Sequence, residues 1–264
     1  MKKQILRSTL YNGRVALSMD GRHIYRCKID GGKSQFVPNA TSIIGMKDKS
    51  GALMYWQRKL IGEAFRKNFP AGKTFTMNDK QLIRVEDTIK NAATDASDEA
   101  KQVGTDTHNY CEARLSNAPA LMPSHPEATN ACNAFENWLS GHKVEPMFLE
   151  KQLFSLRHIF CGTVDFIGKI NGVLTLADFK TSKRLYNDHF MQASAYKEAF
   201  EEEFGAEIEQ RAVIRFCKET GNYEFHILPD SHERDFAAFK SLQAIFHYEK
   251  ETRKEIANIE KHAA

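Results

Sequence analysis

Long apolar runs are missing from this 264-residue chain. No stretch approaches the ~20 residues that span a bilayer, so no membrane partner is expected. Paired cysteines are missing too. The five, Cys27, Cys111, Cys132, Cys161 and Cys217, are odd in number and scattered, with no C-x-x-C. That argues against structural zinc and against a clustered iron–sulfur site, and reduced thiols are the simplest reading. No H-E-x-x-H occurs, which removes a zinc-peptidase reading. At the N-terminus Arg7 interrupts the apolar residues and no small-residue cleavage site follows. A signal peptide is therefore not expected, and a cytoplasmic location is. Charge of one sign is also lacking. Lys and Arg total 37 against 34 Asp and Glu, a net +3. A nucleic-acid surface would have to be a local patch, and Lys151, Arg157, Lys169, Lys180, Lys183 and Arg184 are its candidates. No internal repeat or low-complexity segment appears.

What is present fits one globular domain over residues 1–264, 42% hydrophobic and 27% charged. Residues 1–45 read as short strands punctuated by Asn12-Gly13, Asp20-Gly21 and Gly31-Gly32. Apolar spacing predicts a helix over about 51–68, carrying Trp56, Leu60, Ile61 and Phe65. Further helices are expected over 78–101, 105–115 and 126–139. From Val144 to Lys180 the texture is β. A helix over 187–204, strands at 212–217 and 223–228, and a closing helix over 231–260 follow. The fold class is α/β: a central mixed β-sheet flanked by helices. Residues 1–143 form an N-terminal region of strands and mainly helices, and 144–264 form the sheet core.

The densest signal lies around Asn171-Gly172, set between two β-rich runs, the strongest short-range mark of a two-residue hairpin. Counting outward pairs Ile170 with Val173, Asp165 with Asp178, and Thr163 with Lys180. Alternation then puts Asp165, Asp178 and Lys180 on one face. Val164, Phe166, Ile170, Val173, Ala177 and Phe179 fall on the other, as a core face. Opposed like charges are destabilising, so two facing carboxylates make sense around a cation. A lysine beside a carboxylate-bound metal is a pattern that suits phosphodiester cleavage. On a solvated strand face the same residues would be ordinary.

Other residues gather at useful spacings. Gln192 and Tyr196 share a helix face, as do His108 and Glu112, each four apart. Either pair could equally be structural. Glu150, in the strand before the hairpin, reads as a surface charge with a supporting role left open.

Taken in order, His108, Gly162-Thr163-x-Asp165, Asp178-Phe179-Lys180-Thr181-Ser182 and Gln192-x-x-x-Tyr196 resemble the RecB-like branch of the PD-(D/E)XK nuclease superfamily, across about residues 104–200. FVPNATSIIG followed by a Trp-containing helix looks like the start of phage exonucleases and of the mitochondrial genome-maintenance exonuclease. The resemblance implies a restriction-endonuclease-like core and a Mg²⁺ or Mn²⁺ site. By carry-over His108, Asp165, Asp178 and the Phe179 carbonyl would be metal ligands, with Lys180 activating water and stabilising phosphate charge. Thr181, Ser182, Lys183, Gln192 and Tyr196 would help hold DNA. Asp165 stands where an acidic residue is required, and Asp178 where Glu is commoner. Some relatives carry an iron–sulfur cluster on four cysteines that this chain lacks, so none is expected. The resulting expectation is a divalent-metal-dependent DNA exonuclease of phage recombination, replication or DNA processing, with a recombinase or single-strand-binding protein as conceivable partner. A structure-selective endonuclease is the near alternative. A non-catalytic nucleic-acid-binding protein on the same fold is the rival from another class.

Overall fold

A computed structural model describes residues 6–263. They fall into two compact units: the first holds residues up to Lys47 and from Thr107 onward, the second Asp48–Asp106. Residue 143 lies inside the first. None of the described helices is long and apolar enough to cross a membrane.

The first unit carries two sheets. Strands β1 (Leu6–Leu10), β2 (Val15–Met19), β3 (Tyr25–Ile29) and β4 (Gln35–Val37) make an antiparallel meander. Its turns fall at the expected places, with Asn12 and Asp30 in left-handed backbone beside glycines. The second sheet is mixed, in the order β5 (Val144–Ser155), β6 (Phe160–Ile170), β7 (Val173–Lys180), β8 (Gln210–Phe216), β9 (Tyr223–Ile227). Only β7 and β8 run parallel, and helix α5 (Asn187–Phe204) makes the crossover between them. The hairpin forms where the sequence places it. Ile170 pairs with Val173, and Asn171 and Gly172 both take positive φ, 52° and 89°, as a two-residue primed turn requires.

Helices cover both faces of the mixed sheet. On one, Ile167, Leu176 and Val213 meet α1 (Ala40–Ile44), α5 and α6 (His232–Ala263). On the other, Phe166, Phe179, Ile214 and Phe216 meet α4 (Pro126–Gly141) and the last turns of α3 (Asp79–Leu115). Phe135 and Trp138 of α4 and Phe166 of β6 are wholly buried, and each large side chain contributes roughly 1.5–3 kcal/mol of transfer free energy. Phe154 and Cys161 carry the β1–β4 sheet on the far ends of β5 and β6.

Two expectations need correction. Residues 78–115 do not make two helices. One helix, α3, runs through Gly104, because a lone glycine costs only ~1 kcal/mol and no proline breaks the hydrogen bonding. Val164 does not share the face of Phe166: it packs with Ile167 and Leu176 toward α5. Val164 and Ile167, an odd number of residues apart, lie on one face, and so do Phe148 and Leu153 on β5. Strict alternation forbids that, so both strands change face between those pairs, at the level of Glu150 and Asp165. Glu150 sits there with φ of 45°.

The second unit holds α2 (Ser50–Asn68) and α3 up to Asp106. Phe65, Phe69 and Phe75 form a chain of rings with centroids 5.0 and 5.4 Å apart. No residue of α2 is buried.

Candidate metal centre

The break in alternation builds the site. The β6–β7 ladder ends at Phe166–Ala177, and the expected Asp165–Asp178 pair does not continue it. The Asp165 carboxylate instead accepts the Phe179 N–H through Oδ2 at 2.6 Å, replacing the lost strand bond. Its other oxygen lies 3.4 Å from His108 Nδ1. Glu150 Oε1 is 3.8 Å from the same nitrogen. His108 comes from α3, in the stretch belonging to the first unit, and its ring meets Phe179 edge-on at 6.4 Å. One ligand atom each from His108, Glu150 and Asp165 lies within 4.8 Å of the others. This is the one such grouping among the described residues.

Glu150 is the surprise. Its left-handed backbone costs roughly 1–2 kcal/mol for a residue with a Cβ, and such strain persists only where the surroundings over-determine it. The carboxylate lies beside His108, with about 35% of the side chain still exposed. No local sequence signal marks this, since glycine and asparagine are the usual left-handed residues and Glu is neither.

Asp178 and Lys180 form a second pair at the end of β7. Lys180 Nζ lies 2.5 Å from Asp178 Oδ2, a close ion pair. Asp178 is 2% exposed. It stands outside the three-residue grouping but feels the charges of Asp165 and His108.

Titration behaviour reflects this crowding. Burial alone would lower the His108 imidazole, but Asp165 and Glu150 outweigh it and hold it up at about 10. Burial would raise Asp165, yet His108, Lys180 and the Phe179 N–H bring it below the ordinary aspartate value. Burial pushes Asp178 up to about 6, with Asp165 adding repulsion against the pull of Lys180. Burial likewise raises Glu150, reinforced by Asp165. Burial would lower Lys180, but Asp178 and Asp165 raise it. Three carboxylates thus crowd around one ammonium and one imidazole, an environment that favours added positive charge.

The remaining expected residues divide. Gln192 and Tyr196 do share a face of α5, and Gln192 Nε2 donates to the Tyr196 hydroxyl at 3.0 Å. Tyr196 packs against Gly162, where a Cβ would overlap the tyrosine ring. That steric demand ties the Gly162 motif to the Tyr196 motif. Glu112 is exposed but near enough to add to the negative field at Glu150. Ser182 closes a local turn onto the Arg184 carbonyl, and its own carbonyl accepts from Arg215. Thr181 is half-buried beside Lys180, and Lys183 is exposed. Besides Lys180, three of the six candidate basic residues have partners of their own, while Lys169 and Lys183 stay exposed. Lys151 lies over the rings of Phe148 and Phe204, Arg157 pairs with Glu198, and Arg184 stacks on Tyr186. All five cysteines are free thiols, four of them buried.

One imidazole nitrogen and two carboxylate oxygens form a donor set that suits Mn²⁺ or Mg²⁺, the imidazole favouring the transition metal. No family model matches the chain, and no curated protein sequence matches it.

Proposed function

We infer that the protein is a divalent-metal-dependent deoxyribonuclease of the PD-(D/E)XK type, acting as an exonuclease. The observation that carries this reading is His108, Glu150 and Asp165 brought within 4.8 Å of one another beside the buried Asp178–Lys180 pair. A bound cation would neutralise phosphate charge and lower the pKa of water near neutral pH. The chain's own groups do the rest. The Phe179 N–H fixes one oxygen of Asp165, leaving the other turned toward His108. Asp178 holds the Lys180 ammonium at the strand end, where a compact cation can stabilise a phosphate oxygen or orient the attacking water. Gln192 and Tyr196 brace the neighbouring wall. In hydrolysis one water is consumed: its oxygen joins phosphorus, the P–O bond to the leaving strand breaks, and the departing oxygen takes a proton.

The test compares end-labelled linear DNA with covalently closed circular single strands, in Mn²⁺ and in EDTA. Loss of label only with the metal, and an intact circle, is the expected result. Cutting of the circle would establish an endonuclease instead. A folded protein that cleaves neither substrate would overturn the reading in favour of a binding protein on the same fold.

A further inference from the structure

Beside the cation cluster lies a cavity of about 460 Å³, inside the ~300–1,000 Å³ range of small-ligand pockets. One wall comes from the β1–β4 meander and α1, the other from β5, β6 and α5. Glu150 belongs both to this wall and to the cluster. Whatever fills the cavity therefore adjoins a phosphate held at the cluster.

Most lining residues carry polar groups, Arg22 and Glu150 bear opposite charges, and Tyr25 and Tyr196 are themselves buried. The hydroxyl of Tyr25 exchanges a 2.9 Å hydrogen bond with Thr163, while Gln192 and Tyr196 bond each other on the α5 side. Ser42 presents an exposed hydroxyl from α1. The independent sign of a ligand is Gln152. It is 6% exposed, and its amide nitrogen has no hydrogen-bond partner. Its amide oxygen meets the Ser8 hydroxyl. Turning the amide over would merely orphan the other atom. An unsatisfied buried amide costs ~1–3 kcal/mol, and a ligand rich in acceptors would relieve it. Amides and hydroxyls can hydrogen-bond the edge of an unstacked base and its sugar.

We propose that this cavity receives the terminal nucleoside of the strand being cut, so that the enzyme frays an end and releases single nucleotides. The inference rests on the nuclease reading for its register. The meander thereby gains a role: it closes the far wall and limits how much strand passes the cluster.

The experiment has two arms on the full chain. In the first, saturation-transfer NMR follows dTMP in EDTA, where nothing is cleaved. The wild type gives a transfer signal, Ser42→Trp loses it by filling the cavity, and Gln152→Leu weakens binding about five- to tenfold, the worth of one hydrogen bond. In the second, the products of linear single strands in Mn²⁺ are sized, and mononucleotides predominate. No dTMP binding, binding that both variants leave unchanged, or products of several nucleotides only would each overturn the proposal. Failure of cleavage altogether would sink the nuclease reading and leave the NMR arm to decide the cavity.

Discussion

A divalent cation should stabilise this fold by an amount set by the cluster alone. His108, Glu150 and Asp165 converge only in the folded chain, since they come from α3, β5 and β6. A ligand that binds the folded and not the unfolded state adds RT ln(1 + [L]/Kd), ~2.7 kcal/mol at one hundred times Kd. For a chain of this size each kcal/mol raises Tm by ~2–4 °C, so saturating Mn²⁺ should lift the transition of the unit holding the cluster by about 5–11 °C over EDTA. Asp165→Asn is the matched control. It keeps the side-chain shape and an oxygen for the Phe179 N–H, and removes the charge that faces His108. Its shift should fall below about 2 °C, corresponding to the loss of most of the binding free energy. Differential scanning calorimetry in Mn²⁺ and in EDTA measures both. No shift in the wild type, or an equal shift in Asp165→Asn, would refute the assignment of these three residues as a cation site.

Other outcomes follow from the same geometry. Glu150→Gly relieves the left-handed backbone and one crowded carboxylate, so in EDTA it should melt higher, by about 1 kcal/mol of stability, while losing most of the Mn²⁺ shift; a variant less stable in EDTA would show that the strain argument is wrong. Gly162→Ala forces a methyl into the buried Tyr196 ring and should cost ~1–3 kcal/mol, read as a lower urea midpoint at unchanged slope; an unaltered midpoint would mean the ring moves freely. Asp235→Ala removes the counter-charge 3.3 Å from the buried Arg211. Because Arg211 keeps bonds to Ser194, the Pro229 carbonyl and Ser231, the loss should sit near the lower end of the ~3–5 kcal/mol for breaking a buried pair, and thermal unfolding checks it.

Much of this was legible in the sequence where one local rule decides the outcome. Asn171-Gly172 demands positive φ twice, so it fixed the hairpin and its register through Phe166–Ala177. The strands expected at 212–217 and 223–228 form as β8 and β9, within two residues of those bounds. Helical spacing brought Gln192 to Tyr196. The misreadings share a cause, namely tertiary contacts overruling a local pattern. Alternation carried past Asp165 put Val164 on the wrong face, because both strands change face at the Glu150–Asp165 level. Glu150 looked like a surface charge because only the sheet as a whole holds it in left-handed backbone beside His108. The break expected between residues 101 and 105 does not form, and the Thr105 hydroxyl instead donates back to the Lys101 carbonyl within the continuous helix. The cavity was invisible for another reason: its walls come from segments more than a hundred residues apart, and no spacing rule reaches that far.

The most direct measurement is cleavage of end-labelled DNA by wild type, Asp165→Asn and Lys180→Ala in parallel, with Mn²⁺ and with EDTA, each variant first shown to be folded by circular dichroism. Metal-dependent loss of label by the wild type is expected, with a fall of at least a hundredfold in both variants, about 2.7 kcal/mol of transition-state stabilisation or more. Full activity in either variant, or wild-type cleavage that persists in EDTA, would contradict it.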